Sequence, residues 1–236
     1  MPLSGILRDM SPKSFAPTTA PRSLRDPVFL TARLKAVRTG PSVRPLNDWV
    51  ADLRERLGQG ESVPWFDPAS GGVEARSLFL LEGPGTAVGS EAGRRRTGSG
   101  IISVDNNDPT AQNCWLLRRE AGLPYEHSLH WNIVPWYLGT ADRITAPGRT
   151  DVQRAVPFLH EVISLLPKLE VVVPMGRSAQ AGWAAYVARY APAVRTLATW
   201  HPSPRGLASR PAARPEILRT MREVARLTSQ EGGNPP

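Results

Sequence analysis

The sequence predicts an α/β protein, namely a three-layer α/β/α sandwich around a central, four-stranded, mainly parallel sheet. Short apolar runs of strand length alternate along the chain with longer segments whose apolar residues recur every three or four positions. This alternation is typical of a parallel sheet that helices cover on both faces. The predicted strands are residues 76–81, 129–134, 170–173 and 194–199, and the predicted helices are residues 46–57, 109–121, 152–166, 177–190 and 215–228.

Individual elements carry further signals. Asp108 is a candidate cap for the helix that begins at Pro109, because an aspartate oxygen accepts from the first free amides and proline fits the first turn. The helix over 152–166 keeps strict three-and-four spacing and is ended by Pro167. The run 76–81 has the length and apolar character of a buried parallel strand.

The chain is expected to form a single domain over residues 41–228, with an arm before it and a tail after it. Residues 1–40 mix proline, serine, threonine and basic residues without periodicity, which predicts a loosely ordered N-terminal arm. Residues 229–236 contain glycine and proline at the end of the chain and predict a disordered tail.

The charge of the chain favours a polyanionic partner. The 236 residues include 29 Lys and Arg against 21 Asp and Glu, which gives a net charge of +8, and 26 of the basic residues are arginine. Nine arginines against two acidic residues lie between residues 177 and 226. An arginine fork suits phosphate and guanine edges, so the pattern fits nucleic acid; a membrane surface or a simple arginine bias remains open at this point.

Several classes of protein are excluded. No apolar run approaches the length of a membrane helix, and the first residues lack a secretory apolar stretch, so we expect a cytoplasmic protein without a membrane partner. The single cysteine, Cys114, allows neither an internal disulfide nor an iron–sulfur cluster.

No cofactor or metal is expected either. The loop that starts at Gly83 has the spacing GxGxxxG rather than the dinucleotide pattern, and Pro84 removes an amide that would face phosphate. Of the four histidines only His127 and His130 are close together in the sequence, and no arrangement of carboxylates or cysteines completes a metal shell. A serine hydrolase is disfavoured because the chain has no GxSxG nucleophile elbow.

Three polar residues follow or end predicted strands and are the candidate site. Glu82 follows the first strand, Asn132 lies in the second, and His201 follows the fourth between the strand end and two prolines. In open parallel sheets ligands bind beyond the carboxyl ends of the strands, so we expect these three side chains to share one crevice.

Four segments at these strand ends resemble motifs of the uracil-DNA glycosylase superfamily. In bacterial and archaeal branches of that family a strand runs into a Gly-Glu-Ala-Pro-Gly loop, a second strand reads the base, a Leu-Gly-x-x-Ala turn follows, and a His-Pro-Ser-Pro segment closes the site. The similar segments here are residues 81–85, 129–132, 175–179 and 201–204, and the resemblance covers residues 75–228.

The resemblance implies a monofunctional DNA glycosylase, which flips a nucleotide out of DNA and hydrolyses its N-glycosidic bond. It implies that His201 donates a hydrogen bond to the departing base, that Asn132 binds the polar edge of the pyrimidine, and that Glu82 holds the attacking water or stabilises the cationic sugar. No lysine lies in any of the motifs, which disfavours a Schiff-base lyase step. The protein is expected to act as a monomer.

Departures from the motifs of the uracil-specific branch leave the identity of the excised base open. Gly83 and Gly85 stand where that branch has the water-serving aspartate and the tyrosine that closes the pocket, and Ile102 stands in place of its stacking phenylalanine. The predicted base pocket is therefore Gly83, Gly85, Ile102 and Asn132. Uracil in a repair role is the first hypothesis; a bulky 5-substituted cytosine of phage DNA, removed in antiviral defence, is the second. A catalytically silent DNA-binding relative is the alternative of another class.

Contacts to DNA and to the sugar are also expected from particular residues. Asp105 and Asn106 either position water near the sugar or simply form a turn and cap before a helix. Arg205 or Leu207 is the candidate wedge that enters the base stack. The expected DNA-binding residues are Ser203, Arg205, Leu207, Arg94, Arg95, Arg96 and Arg177.

Overall fold

The structure, a computed structural model, describes residues 18–58, 63–85, 98–139 and 145–229. The strands are β1 (Trp65–Phe66), β2 (Ser77–Leu81), β3 (Ile101–Ile102), β4 (Ser128–Asn132), β5 (Val171–Pro174) and β6 (Arg195–Thr196). The helices are α1 (Pro27–Ala36), α2 (Arg44–Leu57), α3 (Pro109–Glu120), α4 (Arg149–Ser164), α5 (Arg177–Tyr190), α6 (Pro204–Ser209) and α7 (Ala213–Ser229).

The central sheet has four strands in the order β4-β2-β5-β6, and every neighbouring pair is parallel. Leu81, the last residue of β2, lies opposite Asn132, the last residue of β4. The register therefore brings the carboxyl ends of these two strands to the same level. β1 and β3 form a separate parallel pair.

Helices cover the sheet on both faces. On one face Leu78 and Leu80 of β2 pack in a hydrophobic cluster with apolar residues of α2, α4 and α5. On the other face Phe79 packs with apolar residues of α3 and α7. The alternation of side chains along β2 sends neighbours to opposite faces. The predicted three-layer α/β/α fold with a four-stranded parallel sheet is confirmed.

The predicted arm is wrong for the part of residues 1–40 that the structure describes. Asp26 caps α1 by accepting from the amide of Val28, and Arg33 of α1 is buried in ion pairs with Asp67 at 2.5 Å and Asp105 at 3.0 Å. Polar anchoring, not an apolar face, ties this helix to the domain. Residues 1–17, and residues 230–236 of the predicted tail, lie outside the described residues.

The fourth strand is shorter than the predicted run 194–199. Arg195 and Thr196 pair with β5, and the amides of Leu197 and Thr199 donate to the carbonyls of Val172 at 3.0 Å and Pro174 at 3.2 Å. The chain therefore stays beside β5 as far as Thr199, which forms an isolated bridge with Met175. Among the described residues, no helix combines the length and the apolar character needed to cross a membrane.

Candidate active site

A cavity of about 510 Å³ opens at the carboxyl edge of the sheet, on the side covered by α3. The ends of β2 and β4, the segment that follows β3, the first turns of α3 and the loop before α6 all contribute to its wall. The polar residues and the glycines of its lining are Glu82, Gly83, Gly85, Ser103, Asn106, Asp108, Thr110, His130, Asn132, Thr145, His201 and Ser203.

β4 presents two polar side chains to this cavity. Asn132 ends the strand and His130 lies two residues earlier; alternation along a strand places both on the same face, while Trp131 points into the opposite core. Both side chains are buried. The strand thus carries one amide at the rim of the sheet and one imidazole deeper in the cavity.

Glu82 is held in place from the neighbouring helix. Ser178, in the first turn of α5, donates its hydroxyl to Oε1 of Glu82 at 2.7 Å. A carboxylate has further acceptor positions beyond the one that this bond uses. Glu82 therefore lines the cavity with a fixed orientation and with free acceptor capacity.

The imidazole of His201 is oriented by its own loop. The backbone N–H of Ser203 donates to Nδ1 of His201 at 3.2 Å, so Nδ1 is an acceptor and the neutral ring carries its proton on Nε2. Burial lowers the pKa of His201 below its ordinary value, and the nearby Glu82 acts in the opposite direction without cancelling that effect. The ring is thus a neutral donor at neutral pH.

The loop that carries His201 is fastened at three points. Asn113 of α3 donates to the carbonyl of Pro202 at 2.7 Å, and Gln180 of α5 donates to the carbonyl of Thr199 at 2.8 Å. Gly176, with φ of +88°, donates its amide to the same carbonyl at 2.9 Å. Two helices and one turn therefore fix the loop from both sides.

A second depression, of about 320 Å³, adjoins the first. Arg177, Arg205 and Arg210 line it, and all three are exposed. The two cavities share part of their walls. The residues that line both are Glu82, His201 and Ser203.

Trp200 stands at the rim of this second depression with 36% of its surface exposed, which is unusual for a tryptophan. Its indole N–H donates to Glu216, and the guanidinium of Arg210 lies 5.0 Å from its ring centroid. The ring is thus held on the surface by two named contacts rather than packed in a core.

The structure brings most of the predicted site residues together. Glu82, Gly83, Gly85, Ile102, Asn106, Asn132, His201 and Ser203 all line the first cavity, and Arg177 and Arg205 line the second. The segment Arg94–Arg96 lies outside the described residues.

Two predicted residues lie elsewhere. Leu207 packs against the cluster between the sheet, α3 and α7, which leaves it poorly placed as a wedge. Asp105 accepts from Arg33 and from the hydroxyl of Thr18, and its side chain is not part of the cavity wall. Burial raises the pKa of Asp105. Its partners make it an anchor for the N-terminal helix.

Sequence reasoning missed His130 and Trp200. A histidine inside a short apolar strand is indistinguishable from a core residue unless its face is compared with that of Asn132, two positions later. Trp200 precedes the recognised His-Pro-Ser-Pro segment, and no pattern distinguishes an exposed tryptophan from a buried one.

The chemistry available at the first cavity is that of two carboxylates, Glu82 and Asp108, together with amides and neutral imidazoles. Cys114 also lines it, but burial raises the pKa of the thiol to about 12, so it is not a thiolate at neutral pH. Within the described residues no group of three or more His, Cys, Asp or Glu side chains is arranged to hold a metal ion.

Neither a protein-family model nor a curated protein matches the chain. Solved structures do match it, and one of them is the crystal structure of wild-type SMUG2 from Pedobacter heparinus. The identity is 12%, the match covers 66% of this chain and 77% of that chain, and the TM-score is 0.47. So distant a likeness carries no argument about activity, and the function is inferred from the geometry of the site.

Proposed function

We propose that this protein is a monofunctional DNA glycosylase, which accepts a flipped-out uracil or modified pyrimidine and hydrolyses its N-glycosidic bond. The observation that carries the proposal is the shared wall of the two cavities. A base in the first cavity and its phosphates in the arginine-lined depression would put the glycosidic bond beside Glu82 and His201, which line both.

Asn132 supplies base recognition in this scheme. Its amide presents one acceptor and two donors, which fit the mixed donor and acceptor edge of a pyrimidine. The buried position at the end of β4 restricts its rotamers, so a base that does not match leaves a buried polar group unpaired.

His201 stabilises the charge that develops as the bond breaks. When the bond between C1′ and the base nitrogen cleaves, its electron pair leaves with the base, and the base oxygen becomes more negative. A neutral Nε2–H donor strengthens its hydrogen bond as that charge grows, and therefore lowers the barrier. The bond from Ser203 N–H to Nδ1 keeps the ring in the tautomer that this role needs.

Glu82 completes the hydrolysis. A water oxygen attacks C1′ as the base departs, one water proton passes to the Glu82 carboxylate, and the base nitrogen is protonated from solvent; the products are an abasic sugar and a free base. The hydroxyl of Ser178 orients the carboxylate through Oε1. No lysine lies among the described residues that line either cavity, which supports hydrolysis without a Schiff base.

The arginine-lined depression serves the DNA backbone. Arg177 and Arg205 are exposed, and neither has an ion-pair partner among the described residues. Ser203 accepts from the amide of Gly206 at 3.2 Å, which leaves its hydroxyl hydrogen to donate to a phosphate. Trp200 offers an exposed ring on which a neighbouring base can stack.

A second candidate substrate is a bulky 5-substituted cytosine of phage DNA, which would make the enzyme a defence factor rather than a repair enzyme. The wall at Gly85 favours it, because among the described residues no atom outside the adjoining residues of the chain lies within 4 Å of the position that a Cβ would occupy there. A side chain that would close the pocket is thus absent at this point of the wall.

The test is a panel of duplexes that contain uracil, a thymine mismatch, or hydroxymethylated or glucosylated cytosine, incubated with the protein and then treated with alkali. We expect strand breaks at one of these bases, and a loss of about 100-fold or more in His201→Ala and Asn132→Ala. His160→Ala and Asn107→Ala, which replace exposed residues outside both cavities, are the matched controls. A protein that binds these duplexes but breaks none of them would be a silent DNA-binding relative.

A further inference from the structure

Two buried polar side chains in the first cavity have atoms without a partner. Among the described residues, neither Nδ1 nor Nε2 of His130 has a hydrogen-bond partner, and Oδ1 of Asn106 has none either. His130 is 5% exposed and Asn106 is 2% exposed, and both line the cavity. Buried polar atoms without partners are uncommon in folded proteins, and those that line a cavity are available to hydrogen-bond a molecule bound there.

His130 is a neutral group with one donor and one acceptor. Its ring stacks on Phe79, with centroids 5.0 Å apart, and lies 6.0 Å from the ring of Tyr125, so its plane is fixed. Burial, with the charge of Arg118, lowers the pKa of His130 to about 3. The imidazole therefore offers the cavity one N–H and one lone pair.

Asn106 supplies a second acceptor of known orientation. Its Nδ2 donates to the carbonyl of Ile101 at 2.8 Å, which fixes the amide and leaves Oδ1 as the atom without a partner. Asn106 belongs to the segment between β3 and α3, so it reaches the cavity from a different element than His130, which lies on β4 of the central sheet.

His130 lies deeper than the residue that reads the base ring. Residues two apart on a strand are separated by about 6.6 Å, so His130 sits that far below Asn132 along β4. The cavity, at about 510 Å³, has the size that proteins use for ligands larger than a single ring. When Asn132 holds the pyrimidine ring, the part of the ligand that reaches His130 is therefore a substituent on that pyrimidine.

We propose that His130 and Asn106 form a second recognition point, which binds a hydroxyl-bearing substituent on the flipped pyrimidine and so determines specificity for a substituted base over an unsubstituted one. The hydroxyl accepts from the N–H of His130 and donates to Oδ1 of Asn106. This inference rests on the proposed function and names the substrate class of that same site.

The physical basis of the preference is the cost of leaving these atoms unpaired. A ligand that carries a methyl group in place of the hydroxymethyl group would displace water from His130 and Asn106 without replacing its hydrogen bonds. Sites built to bind a substrate hydroxyl reject analogues that lack it far more strongly than apolar pockets reject a missing methylene.

The experiment compares two duplexes that differ in a single hydroxyl, one with 5-hydroxymethyluracil and one with thymine at the same position. Both target nucleotides carry a 2′-fluorine, which resists glycosidic cleavage, so equilibrium binding is measured whether or not the protein excises the base. We expect the hydroxymethyl duplex to bind at least about 10-fold more tightly. Excision of the unfluorinated duplexes is measured in parallel.

The decisive variants are His130→Phe, which keeps a stacked ring, and Asn106→Ala. Each is expected to reduce the binding ratio at least about fivefold, whereas Asn107→Ala, which removes the neighbouring exposed amide outside both cavities, leaves it unchanged. Thermal unfolding shows whether each variant is folded. If only one of the two variants folds, that variant alone is enough for the test. A ratio near one, or a ratio that neither variant changes, overturns the inference. If the protein excises neither base, but the binding ratio is large and falls in the two variants, only the proposed function is overturned.

Discussion

A Cβ atom at Gly176 would lie 2.8 Å from Cβ of His201. Gly176 has φ of +88°, and it follows β5 at the point where the chain turns into α5. The missing side chain thus makes room for His201, and the turn and the histidine loop are built to fit each other.

Gly176→Ala is therefore expected to displace His201 and to reduce excision by about 100-fold. Gly122→Ala is the matched control: Gly122 has φ of +68°, but among the described residues no atom beyond its chain neighbours lies within 4 Å of an added Cβ, so it carries the backbone strain without the collision. Single-turnover excision rates of both variants provide the measurement. Equal losses in the two variants would show that strain, not the contact with His201, is responsible.

The pH dependence of excision reports the protonation state of His201. Because burial lowers the pKa of His201, the ring is neutral above pH 6.5 and is protonated only at lower pH. We expect kcat/KM to show no rise as the pH falls from 8 to 6.5 and to fall at lower pH as the ring gains a proton. An activity that rises as the pH falls through 6.5 would mean that a protonated His201 acts as a general acid.

The buried ion pairs of Arg33 with Asp67 and Asp105 are expected to contribute to the free energy of unfolding. Arg33→Met leaves the carboxylates of Asp67 and Asp105 buried without their cation and should cost about 3–5 kcal/mol of unfolding free energy. Arg44→Met, which removes an exposed pair with Asp48, should cost less than about 1 kcal/mol. Urea unfolding measures both, and similar values would show that α1 is not anchored in this way.

DNA affinity should depend on Arg177 more than on Arg189, although both belong to α5. Arg177 lines the depression beside His201, whereas Arg189 lies near the other end of the helix and outside both cavities. Arg177→Ala should reduce the slope of log affinity against log salt by about one, because one phosphate contact is lost. The same slope in both variants would remove Arg177 from the DNA interface.

Trp200 is expected to stack on a base next to the flipped nucleotide. Trp200→Ala should weaken DNA binding by about 5-fold to 100-fold, while Trp200→Phe retains most of the affinity because stacking tolerates any aromatic ring. Titration of each variant with duplex DNA measures the effect. If the Phe variant binds as weakly as the Ala variant, the indole N–H bond to Glu216 matters rather than the stacking.

Periodicity in the sequence predicts much of this fold. The helix from Arg177 to Tyr190 begins and ends as predicted, and Asp108 caps α3 through the amide of Ala111. α1 escaped prediction because Val28 and Phe29 are exposed, so its apolar residues form no buried face. Its anchor is a set of contacts between residues far apart in the chain, which no local pattern reveals.

For the candidate site, too, the sequence predicts what depends on local patterns and misses what depends on contacts between distant residues. Glu82, Asn132 and His201 could be placed together because each ends or follows a strand, and parallel strands bring their carboxyl ends to one edge. The sequence made Asp105 a candidate for positioning water near the sugar, but its carboxylate forms an ion pair with Arg33. Such a difference depends on a partner 72 residues away, which only the folded chain identifies.

The central claim, hydrolysis of an N-glycosidic bond at Glu82 and His201, is tested most directly in water enriched in ¹⁸O. Duplexes with uracil, 5-hydroxymethyluracil or glucosylated hydroxymethylcytosine are incubated with the protein, and the products are identified by mass spectrometry. We expect at least one duplex to give a free base without the label and an abasic sugar with one ¹⁸O atom, and neither product from Glu82→Gln or His201→Ala above about 1% of the normal rate. Intact DNA with all three duplexes, or equal product from His201→Ala, would contradict the assignment.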